Sequence, residues 1–540
     1  MPKASSRAKI RNQTLSAHWS THPDTLFHAL GLDHETLMLA QNELVGHIVL
    51  PGDPTYDTDR LLSNPVFSPA PSMIVYCAAE PDVAIALKLA ISGNMPFTVR
   101  SGGHCTAGYS GGYGVMIDMS MMNGVFVDGA KMQATVEAGC NFGKLNKTLA
   151  GYKVQGGARL HVPAGECEDV CVGGFVQGGG LGFTSTTFGM NCDNALSMKV
   201  MLADGTIVVA DPTQNYDLWW AMRGGTGGNF GVLLSVVYGL YPLGPVLGFS
   251  VAWDVSTPAG IAQAVNVLMM MQTTYMAGSA YAPNLNLQLL VVWQTIIDPA
   301  KPPLPSLVPV FMVRGLYVGD IVKAGPQSMQ PLVAMPGAVV QFVQKGKYDS
   351  ILDILLSNPQ DQPIIDPKLG MPNEGKASRY VSKPLTGLEW VEILNYFTTQ
   401  SPSTMSYMYL ELYGGKIAAY PATESAFVHR DVLYNAVLDV FWYRLDDRAA
   451  AEVFMAGWTA LFAKVGDGGS YQNYPSVSVP DYPIAYWGQA VHGLVKVKQK
   501  YDPGHFFTFA QAVPPKVTPE ISSQPIPPKV AAALAQPIHR

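Results

Sequence analysis

Two side chains able to form covalent bonds sit inside glycine-rich turns: His104 in Arg100-Ser-Gly-Gly-His-Cys105, and Cys167 in Gly165-Glu-Cys-Glu-Asp-Val-Cys171-Val-Gly-Gly174. A neutral imidazole nitrogen and a thiolate are the side-chain groups best able to add to an electron-poor ring. Glycine permits close backbone approach and positive φ, both of which a pyrophosphate cradle needs. Each turn can press backbone against a flat, phosphate-bearing ligand. A third group lies far along the chain, in Tyr471-Gln-Asn-Tyr474-Pro475. A tyrosine serves as a base toward a substrate hydroxyl if positive charge or hydrogen bonds to the phenolate lower its pKa. Taken singly, each residue also reads as an ordinary turn, cap or core residue.

The elements that must position these groups alternate strand and helix. Thr25–Leu30 suits a short helix, Met73–Ala78 is a buried-strand run, and Glu80–Ala90 is an amphipathic helix with proline at an early position. Phe97–Arg100 is the next strand, so a β-α-β unit ends in the His104 loop. Gly114–Met119 and Ala134–Gly139 read as strands, and Asn141 caps a helix to Ala150. After the Cys167 loop, Lys199–Ala210 reads as two strands joined at an Asp204-Gly205 turn. A helix over Asp217–Arg223, a glycine loop over Gly224–Gly231 and a buried strand over Val232–Tyr241 close the unit. Beyond it, Asn286–Trp293, Val308–Val318, Met405–Leu412 and Val432–Trp442 read as strands of an antiparallel sheet, with helices over Ala259–Met276 and Ala449–Ala463 and a Pro-rich surface connection over Pro302–Pro309.

A chain of 540 residues exceeds what one core sustains. The expected organisation is α+β: a first domain over 1–243, a substrate domain over 244–465 with an antiparallel sheet backed by helices, a segment over 466–515 returning to the first domain, and a Pro-rich tail over 516–540 read as an arm or partly disordered end. With 48% hydrophobic and 14% charged residues the chain is well buried and globular. A net charge of −6 and the lack of a long basic run argue against nucleic acid. No apolar run reaches the ~20 residues of a membrane span, and no leader pattern follows the basic N-terminus, so an intracellular protein is expected. Six cysteines lie in the first 200 residues without zinc spacing, so neither a metal site nor a disulfide framework is expected.

The glycine clusters match neither the Rossmann fingerprint nor a Walker A loop. In combination and order, however, the His104 turn, the run Gly165–Gly182, the segment Asp217-Leu-Trp-Trp-Ala-Met-Arg-Gly-Gly225, and later Tyr471-Gln-Asn-Tyr-Pro, Tyr486-Trp-Gly and Tyr501-Asp-Pro-Gly-His-Phe-Phe resemble the berberine bridge enzyme-like family. These are FAD-linked oxidases of the vanillyl-alcohol oxidase/p-cresol methylhydroxylase superfamily. The resemblance covers most of the chain and implies the two-subdomain FAD-binding fold of that superfamily for residues 1–243.

It further implies FAD attached twice, through an 8α-methyl linkage to His104 and a bond from Cys167 to C6 of the isoalloxazine. Arg100, Ser101, Gly102, Gly103, Cys105, Gly165, Val172, Gly173, Gly174, Gly179, Gly182, Val232 and Asn473 are the further residues expected around the cofactor. Cys105 and Cys171 are read as packing residues, and His161 and His492 as structural. Cys171 and Phe175 depart from the glycine and histidine common in the family, and Val172 stands where a small residue is associated with oxygen access, which favours an oxidase. By resemblance Tyr474 is the base, with Tyr471 beside it and Asn473 on the flavin side. Val437 stands near the position of a common Gln or acid, so Asp439, on the same strand face as Val437 and Phe441, is the candidate replacement. The implied reaction is hydride transfer from a substrate alcohol to flavin N5, with O2 reoxidation to H2O2. The substrate reading leans to the anomeric hydroxyl of a sugar or oligosaccharide, because aromatics make up 10% of the chain. A tailoring oxidase of secondary metabolism and a flavin-fold binding protein without turnover are the alternatives.

Overall fold

The computed structural model describes Leu32 and residues 34–540, except 277–282, 297–306 and 358–365. The helix expected over Thr25–Leu30 and most of the Pro302–Pro309 connection lie outside the described residues.

The N-terminal domain holds two main sheets and a two-stranded ribbon. In the first, β1 (His47–Val49) pairs antiparallel with β2 (Met73–Tyr76), helix α1 (Glu80–Ser92) follows, and β3 (Phe97–Arg100) and β4 (Val115–Asp118) complete the order β1-β2-β4-β3. Strands β2, β4 and β3 are parallel, as a helical crossover requires. Asp82 fixes the entry to α1: its buried carboxylate accepts from the backbone N–H groups of Val45, Gly46 and Ala78 at 2.8–3.0 Å. The second sheet is antiparallel in the order β5-β6-β10-β8-β9. It is built from β5 (Val125–Asp128), β6 (Gln133–Glu137), β8 (Ala195–Met201), β9 (Ile207–Ala210) and β10 (Val232–Gly239). Helices α2 (Phe142–Gly151), α3 (Val172–Gln177) and α4 (Tyr216–Ala221) accompany it, and Asn141 caps α2 by accepting from Lys144 N–H at 2.9 Å. The expected strand over Val232–Tyr241 breaks after Gly239. Tyr241 instead starts β11 (Tyr241–Leu243), which pairs with β7 (Arg159–His161).

The second domain is one antiparallel sheet of seven strands, β15-β12-β14-β13-β17-β18-β16. Its strands are β12 (Val246–Asp254), β13 (Leu285–Gln294), β14 (Val308–Val318), β15 (Val339–Gly346), β16 (Asn373–Val381), β17 (Tyr407–Leu412) and β18 (Tyr434–Trp442). The face carrying Leu289, Leu410 and Leu438 packs on α5 (Pro258–Met271), α7 (Gly387–Gln400) and α8 (Arg448–Val465), where Trp390 and Trp458 are fully buried. The helix expected over Ala259–Met276 leaves the α form at Met271 and closes with a wider turn through Gln272–Met276. There the buried Gln272 carboxamide accepts from Leu385 N–H and donates to its carbonyl.

The opposite sheet face follows from strand register. Arg314, Gln288, Glu411 and Asn435 are successive cross-strand partners, so their side chains leave the sheet on one side. Four residues further along the same face, Tyr407, Asp439 and Lys376 form another row. This polar face looks onto the N-terminal domain. The chain after Ser470 crosses back to that domain, where the Lys498 ammonium donates to Asn229 O, Phe507 O and the Asp502 carboxylate. The residues after Val513 form no loose arm. Val530, in α9 (Pro528–Leu534), is fully buried against α4, and His539 exchanges two backbone hydrogen bonds with the Asn215 side chain. Ile521 and Val530 are buried in the core of the N-terminal domain, and Val517, Ile526, Leu534 and Ile538 pack against it, a pattern that the prolines of the segment hide.

Candidate active site

A cavity of about 1030 Å³ opens where the N-terminal domain, the polar sheet face and the returning segment meet. One wall is backbone, from the loops around Gly102, Gly165, Gly173 and Gly227; the other is side chains, among them Tyr407, Tyr409, Asp439, Phe441 and Tyr474.

His104 and Cys167 line this cavity together. The His104 turn follows β3 and is held by a buried Arg100–Asp118 ion pair at 2.5 Å and by Ser63, which donates twice to Gly103 O. Gly103 has a φ of +72°, and a Cβ on Gly102 would stand 2.8 Å from Cys171 Sγ, so the turn has no room for larger residues. Burial pushes the His104 pKa down, against the pull of Asp169 and Glu374, which keeps the imidazole neutral and nucleophilic. Burial pushes the Cys167 thiol up, while the N–H groups of Asp169 and Val170 directed at its sulfur work the other way. All six cysteines are free thiols, and among the described residues no group of three metal-binding side chains comes together.

Ser101, Gly102, Gly103, Cys105, Gly165, Gly173, Gly174 and Asn473 also border the cavity. Arg100, Val172, Gly179, Gly182 and Val232, expected around the cofactor, lie behind its wall. Arg100 braces the His104 turn from below, and Val172 and Val232 are core residues. Gly179, with φ +121°, packs on Phe427, and a Cβ on Gly182 would meet Ala164 O at 1.9 Å. Their smallness lets one loop lie directly on another. Cys171 is buried at the start of α3, where its thiol faces Gly139 O at 3.4 Å, and Phe175 packs edge-on against Phe142. His161 is buried against Thr184, and His492 faces Gln524 O.

On the opposite wall the Tyr474 hydroxyl donates to Glu411 Oε1 at 2.8 Å, and Asn435 donates to Glu411 Oε2 at 2.8 Å. Burial pushes the Glu411 pKa up to about 7, and these two hydrogen bonds hold it from rising further. Lys376 Nζ stands 4.8 Å over the Tyr474 ring, a cation placed to favour a phenolate. Burial first, and then the Glu411 carboxylate, push the Tyr474 pKa well up. The Lys376 charge is already engaged by Asp439 at 2.5 Å and Glu374 at 3.3 Å. Asp439 faces the cavity, as the alternation of its strand requires, and burial pushes its pKa up against the pull of Lys376.

Tyr471 stacks edge-on against Tyr474 at 4.9 Å and accepts from Gly180 N–H at 2.8 Å, while Asn473 donates to Tyr471 and to Phe175 O. These two residues tie the Tyr474 segment to the glycine loop. Glu411, Lys376, Glu374, Tyr407 and Tyr409 were not singled out from the sequence. The available signal was the run Tyr407-Met-Tyr-Leu-Glu411-Leu, in which period-2 alternation puts Tyr407, Tyr409 and Glu411 on one face of an otherwise apolar strand.

The residues present fit a flavin dinucleotide. The backbone wall is glycine where a ring and pyrophosphate must approach, and a Cβ on Gly174 would project into open space. Gln472 Oε1 and Tyr109 OH, on the cavity wall, are buried without a protein partner. A polar ligand would satisfy both.

Fold and site together define an FAD-linked oxidoreductase. Residues 71–211 match the FAD binding domain family, and residues 470–514 match the berberine and berberine-like family. In these two stretches the chain is similar to the berberine bridge enzyme-like FAD-linked oxidoreductases. It is 25% identical to the uncharacterized FAD-linked oxidoreductase YgaK of Bacillus subtilis, over 88% of this chain and 98% of that one. It is 26% identical to the aclacinomycin-N/aclacinomycin-A oxidase of Streptomyces galilaeus, over 84% and 86%, and to the xylooligosaccharide oxidase of Thermothelomyces thermophilus, over 85% and 88%. The fold superposes on Physcomitrella patens BBE-like 1 with a TM-score of 0.76 at 23% identity, covering 89% of this chain and 99% of that one. No described helix is long and apolar enough to cross a membrane.

Proposed function

We propose that the protein is an alcohol oxidase whose FAD is attached through both His104 and Cys167 and whose proton acceptor is the Tyr474–Glu411 pair. The observation that carries the reading is the 2.8 Å hydrogen bond from the Tyr474 hydroxyl to Glu411 inside the cavity that His104 and Cys167 also line. When bound, the flavin takes a hydride from the substrate carbon and yields the electrons to O2, giving H2O2. The chain's own residues handle the proton. Tyr474, protonated at neutral pH, accepts the substrate's hydroxyl proton as it passes its own to the Glu411 carboxylate, so phenolate never needs to accumulate. Lys376 above the ring and Asn435 on the far carboxylate oxygen hold the pair in place. Asp439 faces the substrate as the ion-pair partner of Lys376.

For the substrate, the reading is the anomeric hydroxyl of a sugar or oligosaccharide. Tyr407, Tyr409 and Phe441 offer ring faces, and the Lys376–Asp439 row offers a donor and an acceptor to hydroxyls. A tailoring oxidase acting on a secondary-metabolite alcohol is the second reading, supported by the equal likeness to the aclacinomycin and xylooligosaccharide oxidases. Anaerobic titration with xylobiose, cellobiose and cinnamyl alcohol decides between them: bleaching of the flavin by a sugar supports the first, bleaching by the aromatic alcohol alone the second. Yellow colour that stays with acid-precipitated protein is expected, and release of free FAD defeats the covalent attachment. Turnover that survives Tyr474→Phe and Glu411→Gln defeats the proton relay.

A further inference from the structure

Cys167 and the substrate sheet are joined by a chain of buried polar contacts that the proton relay does not use. Glu166, next to Cys167, accepts from Gln288 Nε2 at 3.1 Å and faces the Arg314 guanidinium at 3.4 Å. Gln288 and Arg314 are cross-strand partners on β13 and β14, and Arg314 Nε donates to Gln288 Oε1 at 2.7 Å. A second guanidinium nitrogen donates to Leu355 O at 2.8 Å. Arg314 and Gln288 are almost wholly buried, so their geometry is fixed by packing. On its other flank the Cys167 loop is held by backbone: Gly143 N–H donates to Glu168 O, and Phe142 N–H to Val170 O. The loop therefore hangs between two domains, with Cys167 in the middle.

We propose that Gln288 and Arg314 are positioning residues for the attachment of Cys167. By holding Glu166 they fix one flank of the loop whose other flank is tethered through Glu168 O and Val170 O, and so set where the Cys167 sulfur sits on the cavity wall. A thiol adds to a ring only from a position in line with the reacting carbon, and a loop held on both sides keeps it there. The attachment joins Sγ to C6 of the flavin with loss of the thiol proton and the C6 hydrogen. The two electrons released pass through the flavin to O2, which leaves as H2O2. The His104 turn is held by Arg100, Asp118 and Ser63, and it meets the sheet at another strand: Asn64, next to Ser63, exchanges two hydrogen bonds with the Glu374 backbone on β16. The two bonds to one cofactor thus lean on different strands of the sheet, and the Gln288–Arg314 clamp serves the Cys167 bond.

The inference rests on the double attachment proposed above, and the test separates the two. Full-length protein is digested and its flavin-bearing peptides are identified by mass. Wild type should yield His104 and Cys167 flavopeptides. Gln288→Leu and Glu166→Ala should keep the His104 peptide flavinylated and lower the Cys167-linked fraction severalfold. Glu166→Gln, which still accepts from Gln288, should restore it. Full Cys167 linkage in both Gln288→Leu and Glu166→Ala overturns the clamp, as does parallel loss of both linkages, which would mark general damage. If wild type lacks the Cys167 peptide, the double attachment fails. Amide hydrogen exchange over residues 165–170 then judges the clamp: faster exchange in Gln288→Leu supports it, and unchanged exchange overturns it.

Discussion

The two walls of the cavity are made of different material. The wall from the N-terminal domain is backbone, folded tightly enough that Gly102 and Gly182 have no room for a Cβ, while Gly103 holds a left-handed φ. The wall from the second domain is side chains standing in rows on a seven-stranded sheet, with Glu411 and Asp439 buried and Lys376 half-buried beside them. Backbone offers every ligand of one shape the same hydrogen bonds, which suits a cofactor that never changes. Side chains on a rigid sheet can be exchanged singly without disturbing the fold, which suits the part of the site that meets the substrate.

That contrast can be broken at several points. The largest effect is expected on the side-chain wall. Tyr474→Phe and Glu411→Gln should each lower kcat by ~10²–10⁴-fold while leaving the flavin spectrum in place. The double variant should lose little more than either single one, because the two residues act as a unit. Stopped-flow reduction under anaerobic conditions reads this directly, and additive losses would mean that the two act separately.

Next comes the ion pair. Lys376→Met leaves Asp439 buried without its counter-charge and should cost about 3–5 kcal/mol of stability in denaturant unfolding. Adding Asp439→Leu should recover most of that cost. If the double variant is no more stable than the single one, the pair is not what holds that row.

On the backbone wall, Gly182→Ala drives a Cβ onto Ala164 O and should destabilise by about 1–3 kcal/mol. Its signature differs from that of the side-chain variants: lower flavin content, with normal turnover for the fraction that is loaded. A kcat defect per bound flavin would show that the two walls are not separable in this way.

The pH dependence is the mildest test. The proton-accepting form of Glu411 is its carboxylate, whose pKa stands near 7, so kcat/KM should fall by ~tenfold per pH unit below that value. Glu411→Gln should remove this limb. The stability contribution of the same group runs the other way. Because its folded pKa lies above the ordinary 4.5, that contribution is full below 4.5 and is lost as pH rises through 7. Activity and the Glu411 share of stability are thus expected to move in opposite directions across this window, as paired activity and unfolding measurements on wild type and Glu411→Gln would reveal.

The first wall was largely legible in the amino-acid order, because glycine has a direct conformational meaning and His104 and Cys167 fall inside recognisable runs. Even there, part of the glycine pattern serves protein packing: Gly179 and Gly182 lie directly on neighbouring chain, and Val172 and Val232 are buried in the core. The second wall was legible only as a strand face. Alternation placed Asp439 beside Phe441, but nothing local connects Asp439 to Lys376, 63 positions earlier on a strand whose register is set by seven-strand pairing. Nor does anything local show that Tyr474 meets Glu411, whose charge, after burial, pushes the tyrosine pKa up.

The sequence by itself determined the α+β class, the helix caps and turns, and the set of reactive side chains, since these follow from residue type and short-range spacing. Tertiary structure alone decided which of those side chains meet: that Tyr474 finds Glu411, that Lys376 is spent on Asp439 and Glu374, and that Gln288 reaches Glu166 beside Cys167. The physical reason is that cross-strand register and domain docking are settled by burial summed over the whole sheet, a quantity no short window of sequence contains.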